Sequence, residues 1–241
     1  MGGWLNRPMC GLDFETTGVD PESDRIVSAA VVLRGGGRPT GRTSWLADPG
    51  VEIPAGATAV HGITTEYARA AGRPAVEVVE EVTAAVAAAV ADGCPLVVMN
   101  APFDLTMLDR EARRHGVTPL VDRCAPYVLD PRVLDKRVSR RRGSRTLSDL
   151  ARHYVVPLYG AHSAEADAVA ACAVTYKIAN RYRFLADTPL PRLHAEQTRW
   201  AADQQQGLRD YFARTKGKEH QAAGVRLDWP MIPVPVATGS R

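Results

Sequence analysis

Apolar and polar residues alternate along the first fifty positions in the way expected of β-strands. Residues 9–15 and Ile26–Leu33 are two apolar runs, and the turn-forming segment Gly35–Pro39 follows the second run. Thr43–Leu46 can pair with that run as a third strand. The pattern therefore predicts a short antiparallel meander at the start of the chain.

The apolar spacing changes to that of helices from about residue 77 onward. The segments predicted to be helical are Glu77–Ala91, Leu105–His115, Leu147–His153 and Ala164–Tyr182. Between them, Leu96–Met99 and Tyr127–Asp130 are predicted to be short buried strands. Antiparallel strands followed by strands that alternate with helices predict an α/β fold with a mixed sheet.

Composition changes near Asp187–Pro191. Beyond this point Leu193–Arg214 is polar with helical spacing, and the chain ends in the proline-rich segment WPMIPVPVATGSR. We therefore divide the chain into an N-terminal extension (1–8), a main domain (9–185) and a helical, proline-rich C-terminal extension (186–241).

Overall composition indicates a folded protein without a membrane span. Hydrophobic residues make up 45% of the 241 positions, which is enough for a substantial core. No stretch approaches the roughly 20 apolar residues of a membrane helix, and no signal peptide is predicted. The cysteines are far apart and form no CxxC pair, which argues against a zinc site and fits a reducing compartment; they are Cys10, Cys94, Cys124 and Cys172. These features predict a cytoplasmic protein.

The charge pattern is informative in one place. The net charge of +3 permits a polyanionic partner without demonstrating one. Arginine is concentrated in residues 132–145, and its planar fork matches phosphate oxygens. The candidate phosphate contacts are Arg140, Arg141, Arg142 and Arg145. The alternative is a solvated, mobile loop, and we favour phosphate contact.

Asp13 and Glu15 are the first candidates for chemistry. They lie two residues apart on a predicted strand, so both carboxylates project from one face while Phe14 points into the core. Surface acids at this spacing are common, but Leu12 and Phe14 mark a buried strand. A buried carboxylate pair is costly unless a cation compensates it, and Mg²⁺ and Mn²⁺ prefer oxygen ligands.

Two later segments carry further candidates. Asp104 follows the predicted strand at the entry to a helix, where it is either an N-cap or part of a cation site. His162 lies just before a long predicted helix, and Asp167 lies in the first turns of that helix. Three carboxylate-bearing segments and one histidine predict a metal-dependent nuclease, in which cations clamp a phosphodiester and the histidine deprotonates the attacking water.

Taken together, these segments resemble the DEDD exonucleases of the histidine-containing branch (DEDDh), the family of the proofreading epsilon subunit of bacterial DNA polymerase III. The motifs that carry the resemblance are DFETTG at Asp13–Gly18, NAPFD at Asn100–Asp104 and HSAEADA at His162–Ala168. AVHGIT at Ala59–Thr64 and RTLSDLARHY at Arg145–Tyr154 resemble two further segments of the family. The resemblance covers roughly residues 9–185. It implies a ribonuclease-H-like fold with a mixed five-stranded sheet and 3′-to-5′ removal of nucleotides as monophosphates.

The resemblance also implies a role for each matching residue. Asp13, Glu15 and Asp167 would hold the catalytic metal ion, and Asp13 would bridge to a second Mg²⁺ or Mn²⁺. Asp104 would support that second ion, and His162 would be the general base. The residues implied to contact the terminal nucleotide or to order its pocket are Thr16, Thr17, Gly18, Val60, His61, Asn100 and Phe103.

The implied substrate is a single-stranded or frayed 3′ end. DNA, in repair or proofreading, is the first hypothesis, and trimming of RNA or oligonucleotide 3′ ends by the same chemistry is the alternative. A third hypothesis, from a different class, is a nucleic-acid-binding or clamp-binding module that has lost catalysis. The presence of all four carboxylates together with His162 argues against it.

The C-terminal extension does not align with the polymerase-tethering segment of the epsilon subunit. Gln205, Leu208, Tyr211 and Phe212 spell QxxLxxYF, a sliding-clamp-binding pattern. The last three are also spaced i, i+3, i+4, as in any amphipathic helix, and we favour that interpretation. A polymerase or sliding-clamp partner of this extension is therefore the weaker hypothesis.

Overall fold

The computed structural model describes residues 3–139, 141–160 and 162–234. The strands of its mixed sheet are β1 (Pro8–Thr16), β2 (Ile26–Gly35), β3 (Arg38–Asp48), β4 (Arg73–Pro74), β5 (Leu96–Val98) and β6 (Val128–Leu129). Their spatial order is β4-β3-β2-β1-β5-β6. β1, β2 and β3 form the predicted antiparallel meander, whereas β5 and β6 are parallel to β1.

The sheet in this part of the chain has six strands rather than the expected five. The additional strand, β4, is a two-residue segment that pairs in parallel with Ala47 and Asp48 of β3. Two residues are too few to show the period of two from which a strand is predicted.

β1 lies inside the sheet and carries the period on which the site depends. Cys10, Leu12 and Phe14 point into the core on one face. Met9 belongs to the core on the other face. Asp13 and Glu15 alternate with the first set, so they share the face of Met9.

The helices of the described residues form a layer on each face of the sheet. They are α1 (Ala55–His61), α2 (Thr65–Ala71), α3 (Ala75–Ala91), α4 (Ala101–Arg114), α5 (Leu120–Arg123), α6 (Pro131–Val138), α7 (Leu147–His153), α8 (Ala164–Arg181), α9 (Arg183–Asp187), α10 (Leu190–Arg214) and α11 (Glu219–Ala222). α3 and α4 supply Val82 and Leu105 to one core. α7 and α8 supply Leu150 and Ile178 to the other. Across the residues described, none of these helices is both long and apolar enough to cross a membrane.

Apolar spacing did not predict six of these helices, namely α1, α2, α5, α6, α9 and α11. α1 buries none of its side chains, so it carries no apolar stripe, and α2 is a seven-residue helix capped by the Thr64 hydroxyl, which accepts from the Tyr67 N–H at 3.1 Å. α6 occupies the start of the arginine-rich segment. Its side chains Pro131, Val133 and Leu134 are buried.

Both ends of the described chain pack on this α/β body. Trp4, in a short 3₁₀ helix (Trp4–Asn6), donates from its indole N–H to the carbonyl of Leu185 at 3.1 Å. The side chain of Gln197, on α10, donates to the carbonyl of Val128 and accepts from the N–H of Asp130, both at 2.9 Å. This amide satisfies backbone groups at the edge strand β6, where no further strand follows in the described sheet.

Candidate active site

Three carboxylates converge where β1 meets the first turn of α8. One oxygen each from Asp13, Glu15 and Asp167 lies within 4.8 Å of the others. Residues of β1 and α8, which are far apart in sequence, thus form one cluster of carboxylates.

Gly11 permits this approach of helix to strand. A Cβ there would lie 2.7 Å from Sγ of Cys172 and 2.8 Å from the carbonyl oxygen of Ala168, both on α8. Any other residue would force α8 away from β1 and widen the carboxylate cluster. Sequence reasoning missed Gly11, although a glycine inside a strand signals close approach of another backbone.

Burial raises the pKa of each carboxylate, and repulsion between carboxylates adds to the shift at Asp13 and Glu15. The pKa of Asp13 lies well above its ordinary value because of burial, with Asp104, Asp167 and Glu15 adding to the shift. Burial, helped by Asp167, raises the pKa of Glu15 to about 7. Such a cluster favours either protons or a cation.

Asp104 is buried in the first turn of α4. The N-cap of that helix is Asn100, which adopts a left-handed conformation at φ 61°, so the N-cap interpretation of Asp104 is wrong. Burial raises its pKa, although the backbone of Asp104 and Phe14 acts in the opposite direction. Asp104 lies outside the three-residue cluster but close enough to Asp13 to raise its pKa.

Asp130 holds the start of α4, and sequence reasoning did not identify it. Its carboxylate accepts from the N–H groups of Asn100 at 3.2 Å and Ala101 at 3.1 Å. The guanidinium of Arg132 also donates to Oδ1 of Asn100 at 2.7 Å. Asp130 and Arg132 therefore fix the position of Asn100. The available signal was an aspartate directly before Pro131, a frequent start of a helix.

The histidine candidate lies at the rim of the cluster. His162 is exposed and has a left-handed backbone at φ 66°. Burial raises the pKa of Asp167. A backbone hydrogen bond from His162 and the charge of a protonated His162 side chain act in the opposite direction. Oδ1 of Asp167 is buried and has no hydrogen-bond partner among the described residues. An orphaned carboxylate oxygen beside two other carboxylates fits a divalent cation.

The turn after β1 is held together by its own side chains. The Thr16 hydroxyl donates to the carbonyl of Gly18 at 2.6 Å. The Thr17 hydroxyl donates to Asp24 at 2.9 Å and accepts from the N–H of Arg25 at 3.0 Å. A Cβ on Gly18 would displace the carboxylate of Asp24, which accepts from the Thr17 hydroxyl. The turn is preorganised before any ligand binds.

The remaining candidates for the nucleotide pocket lie on α1 and α4. Val60 is half exposed. Nδ1 of His61 accepts from the N–H of Ile63 at 3.1 Å, and burial lowers the pKa of the imidazole. Phe103 is half-buried and packs against the core that α3 and α4 share.

An open cleft of about 720 Å³ extends from this cluster over the sheet. Glu15 of the carboxylate cluster lines this cleft together with His61 and His162. Its size suits an extended ligand rather than a single ion.

The arginine-rich segment is placed differently from the expectation. Asp135 is fully buried and accepts from Nε of Arg145 at 2.7 Å and from the Tyr154 hydroxyl at 2.8 Å, and Arg141 lies 3.3 Å away. Arg141 and Arg145 are thus engaged within the protein, while Arg142 is exposed. Arg140 lies outside the described residues.

Comparison with known proteins bears on this arrangement. A sequence profile of the family RNase_T, described as exonuclease, matches residues 10–175. The chain belongs to this exonuclease family. The matched residues include the parts of β1 and α8 that carry the carboxylate cluster.

This exonuclease and its relatives match over only part of their lengths. A Rhodobacter capsulatus protein named DNA polymerase III subunit epsilon-like protein is 44% identical over 102 residues, which are 41% of this chain and 14% of that protein. Escherichia coli exonuclease I in complex with a dT13 oligonucleotide shares the fold at a TM-score of 0.61 and 19% identity, over 75% of this chain and 43% of that one. Exonuclease I from Methylocaldum szegediense gives a TM-score of 0.60 at 21% identity, over 74% and 42%. The chain therefore spans less than half the length of these proteins.

The clamp-like residues lie within α10. Leu208 and Phe212 are half-buried, as on the packed face of an amphipathic helix, whereas Tyr211 is exposed. A polymerase or clamp partner stays a prediction.

Proposed function

We propose that this exonuclease is a divalent-metal-dependent 3′-to-5′ enzyme that hydrolyses the terminal phosphodiester of single-stranded or frayed DNA and releases nucleoside monophosphates. The observation that carries the proposal is the cluster of Asp13, Glu15 and Asp167 within 4.8 Å, with His162 at its rim. Membership of an exonuclease family supports the hydrolytic chemistry.

The carboxylates would hold the metal. Asp13, Glu15 and Asp167 would bind one ion, and Asp104 beside Asp13 would support a second. Bound Mg²⁺ or Mn²⁺ supplies Lewis-acid stabilisation of the phosphate oxygens and lowers the pKa of water. Oδ1 of Asp167 is buried and has no hydrogen-bond partner in the part of the chain that the structure describes, which supports this assignment because a cation would satisfy it.

His162 would be the general base. Its exposed imidazole at the cleft rim can take the proton of the attacking water and release it to solvent.

The turn residues would position the 3′ end. Asp24 accepts from the Thr17 hydroxyl and the carbonyl of Gly18 accepts from the Thr16 hydroxyl, so this backbone is fixed before a nucleotide arrives. A rigid turn lowers the entropy cost of placing the terminal nucleotide over the carboxylates. His61 and Phe103 would line the same pocket.

The names of relatives support DNA over RNA as substrate. One relative is named an epsilon-like subunit of a DNA polymerase, and structural neighbours are complexes with dT13 and dA16 oligonucleotides. Another neighbour is a complex with the C-terminal segment of SSB. The RNA alternative differs only in 2′-OH contacts, so it becomes an outcome of the same experiment.

The test is a time course on 3′- and 5′-labelled single-stranded DNA and RNA with Mg²⁺, Mn²⁺ or EDTA. We expect stepwise shortening from the 3′ end that EDTA stops, with DNA faster than RNA. Asp167→Asn should lack this activity, whereas Asp122→Asn, a matched change at an exposed site on α5, should keep it. If the protein binds 3′ ends tightly but does not cleave them with any metal, the enzyme hypothesis is refuted in favour of a nucleic-acid-binding module.

A further inference from the structure

The cleft continues from the carboxylates across the sheet onto β3. Asp13 is opposite Ala30 of β2, which is opposite Ser44 of β3, and Arg42 lies two residues earlier on the same face. Two strand spacings separate Asp13 from Ser44, or about 10 Å. Arg42 and Ser44 line the same cleft as Glu15 and His162.

A half-exposed ion pair spans this far part of the cleft. Nε of Arg42 lies 3.4 Å from Glu165 in the first turn of α8, and the Ser44 hydroxyl donates to the same carboxylate at 3.1 Å. The two charged side chains are 51% and 42% exposed. Exposed pairs of this kind contribute at most about 1 kcal/mol to stability, so little is lost when one partner is exchanged.

An exposed aromatic ring borders the same region. Tyr159 lines the cleft between Pro157 and Gly160, and 85% of it is exposed to solvent. An open aromatic face in the same cleft as a cation supplies the two features that bind single-stranded nucleic acid, a stacking surface and a backbone contact.

Resting on the proposed function, we propose that Arg42 and Tyr159 form a subsite for the nucleotide on the 5′ side of the scissile bond. Arg42 exchanges Glu165 for a phosphate of the incoming strand, and Tyr159 stacks on a base. The ligand class is a single-stranded polynucleotide, bound without regard to sequence. Glu165 competes with phosphate, so it sets how tightly this subsite binds.

This arrangement predicts opposite effects for the two halves of the ion pair. Arg42→Gln removes the phosphate contact, whereas Glu165→Gln frees Arg42 and removes a repulsive charge. A purely structural ion pair would respond in the same direction to either change. Both side chains are half exposed, so both variants should fold.

The experiment compares two substrates in the presence of Mn²⁺. A short oligo(dT) reaches the proposed subsite, whereas the p-nitrophenyl ester of thymidine 5′-monophosphate carries the terminal nucleotide and a nitrophenyl leaving group, with no base or phosphate on the 5′ side. We expect Arg42→Gln and Tyr159→Ala each to raise KM for oligo(dT) about tenfold, as loss of one phosphate or stacking contact does. Glu165→Gln should lower that KM several-fold. Turnover of the ester should stay within about twofold of the unmodified protein for all three variants.

Salt dependence and a matched control separate a local contact from general charge. The slope of log KM against log salt for oligo(dT) should fall by about 0.7 in Arg42→Gln, the value for one phosphate on a single strand. Arg214→Gln removes a cation from an exposed pair with Asp210 on α10 and should leave the slope unchanged.

The outcomes distinguish this inference from the proposed function. If the unmodified protein cleaves both substrates but Arg42→Gln and Glu165→Gln shift KM in the same direction, the subsite is refuted and the nuclease stands. If all variants alter the ester as much as oligo(dT), the subsite is equally refuted. If the unmodified protein cleaves neither substrate with any divalent metal, the proposed function is refuted and the subsite with it.

Discussion

Replacing Glu15 by glutamine should stabilise the metal-free protein while it removes a metal ligand. The side chain is only 9% exposed, and burial together with Asp167 raises its pKa from an ordinary 4.5 to about 7. That difference corresponds to about 3 kcal/mol of ionisation free energy. Solvent at the open side of the cleft screens part of it, so we expect a gain of about 1 to 2 kcal/mol at pH 8.

The stabilisation has a defined pH dependence. The unfolded chain loses the Glu15 proton near pH 4.5, whereas the folded protein keeps it to about pH 7. The folded protein therefore loses stability relative to Glu15→Gln as pH rises through this window. The difference between the two proteins should be absent below pH 4.5, grow up to about pH 7 and stay constant above it.

Thermal unfolding in EDTA, followed across this pH range, measures the effect. The expected rise in Tm of Glu15→Gln at pH 8 is about 3 to 6 °C for a chain of this size. Saturating Mn²⁺ should remove or reverse it, because only the unmodified protein regains a ligand. Equal Tm values at pH 8 in EDTA, or a difference that does not change with pH, would refute the electrostatic reasoning.

Glu81 provides a control of opposite sign. Hydrogen bonds from Arg73 and Trp45 lower its pKa to about 2, so its charge stabilises the folded protein at neutral pH. Glu81→Gln should therefore lower Tm at pH 8.

Three further predictions test separate parts of the site. Asp167→Asn should reduce kcat on single-stranded DNA by at least about 10³-fold without unfolding the protein, because it removes a ligand of the metal that stabilises the transition state. A near-normal kcat in a variant that circular dichroism shows to be folded would contradict the assignment. Arg145→Met should lower the free energy of unfolding by about 2 to 3 kcal/mol, since buried Asp135 loses a donor at 2.7 Å, and urea denaturation at matched protein concentration measures this. An unchanged urea midpoint would mean that Arg145 contributes nothing to the fold and is available for phosphate. Gly18→Ala should lower the free energy of unfolding by about 1 to 3 kcal/mol and reduce kcat/KM for 3′ ends, because its Cβ would clash with the carboxylate of Asp24. Full activity would show that the turn adapts.

Part of the fold followed directly from local patterns. The alternation in residues 9–15 predicted that Asp13 and Glu15 share one face, and the antiparallel meander and mixed α/β sheet are confirmed. These features depend on the period of a strand or helix, which neighbouring residues determine. Short elements without an apolar stripe, such as α1 and β4, left no such signal.

The sequence by itself determined which residues carry charge and which elements hold them, whereas tertiary structure decided their partners. Asp104 had the local signature of an N-cap, but Asn100 occupies that position and Asp104 is buried near Asp13. Arg145 had the composition of a phosphate contact, but the buried carboxylate of Asp135 binds it. Local patterns constrain conformation over a few residues, while the pairing of charges depends on distances between elements far apart in sequence. Only the packed sheet and helices determine those distances.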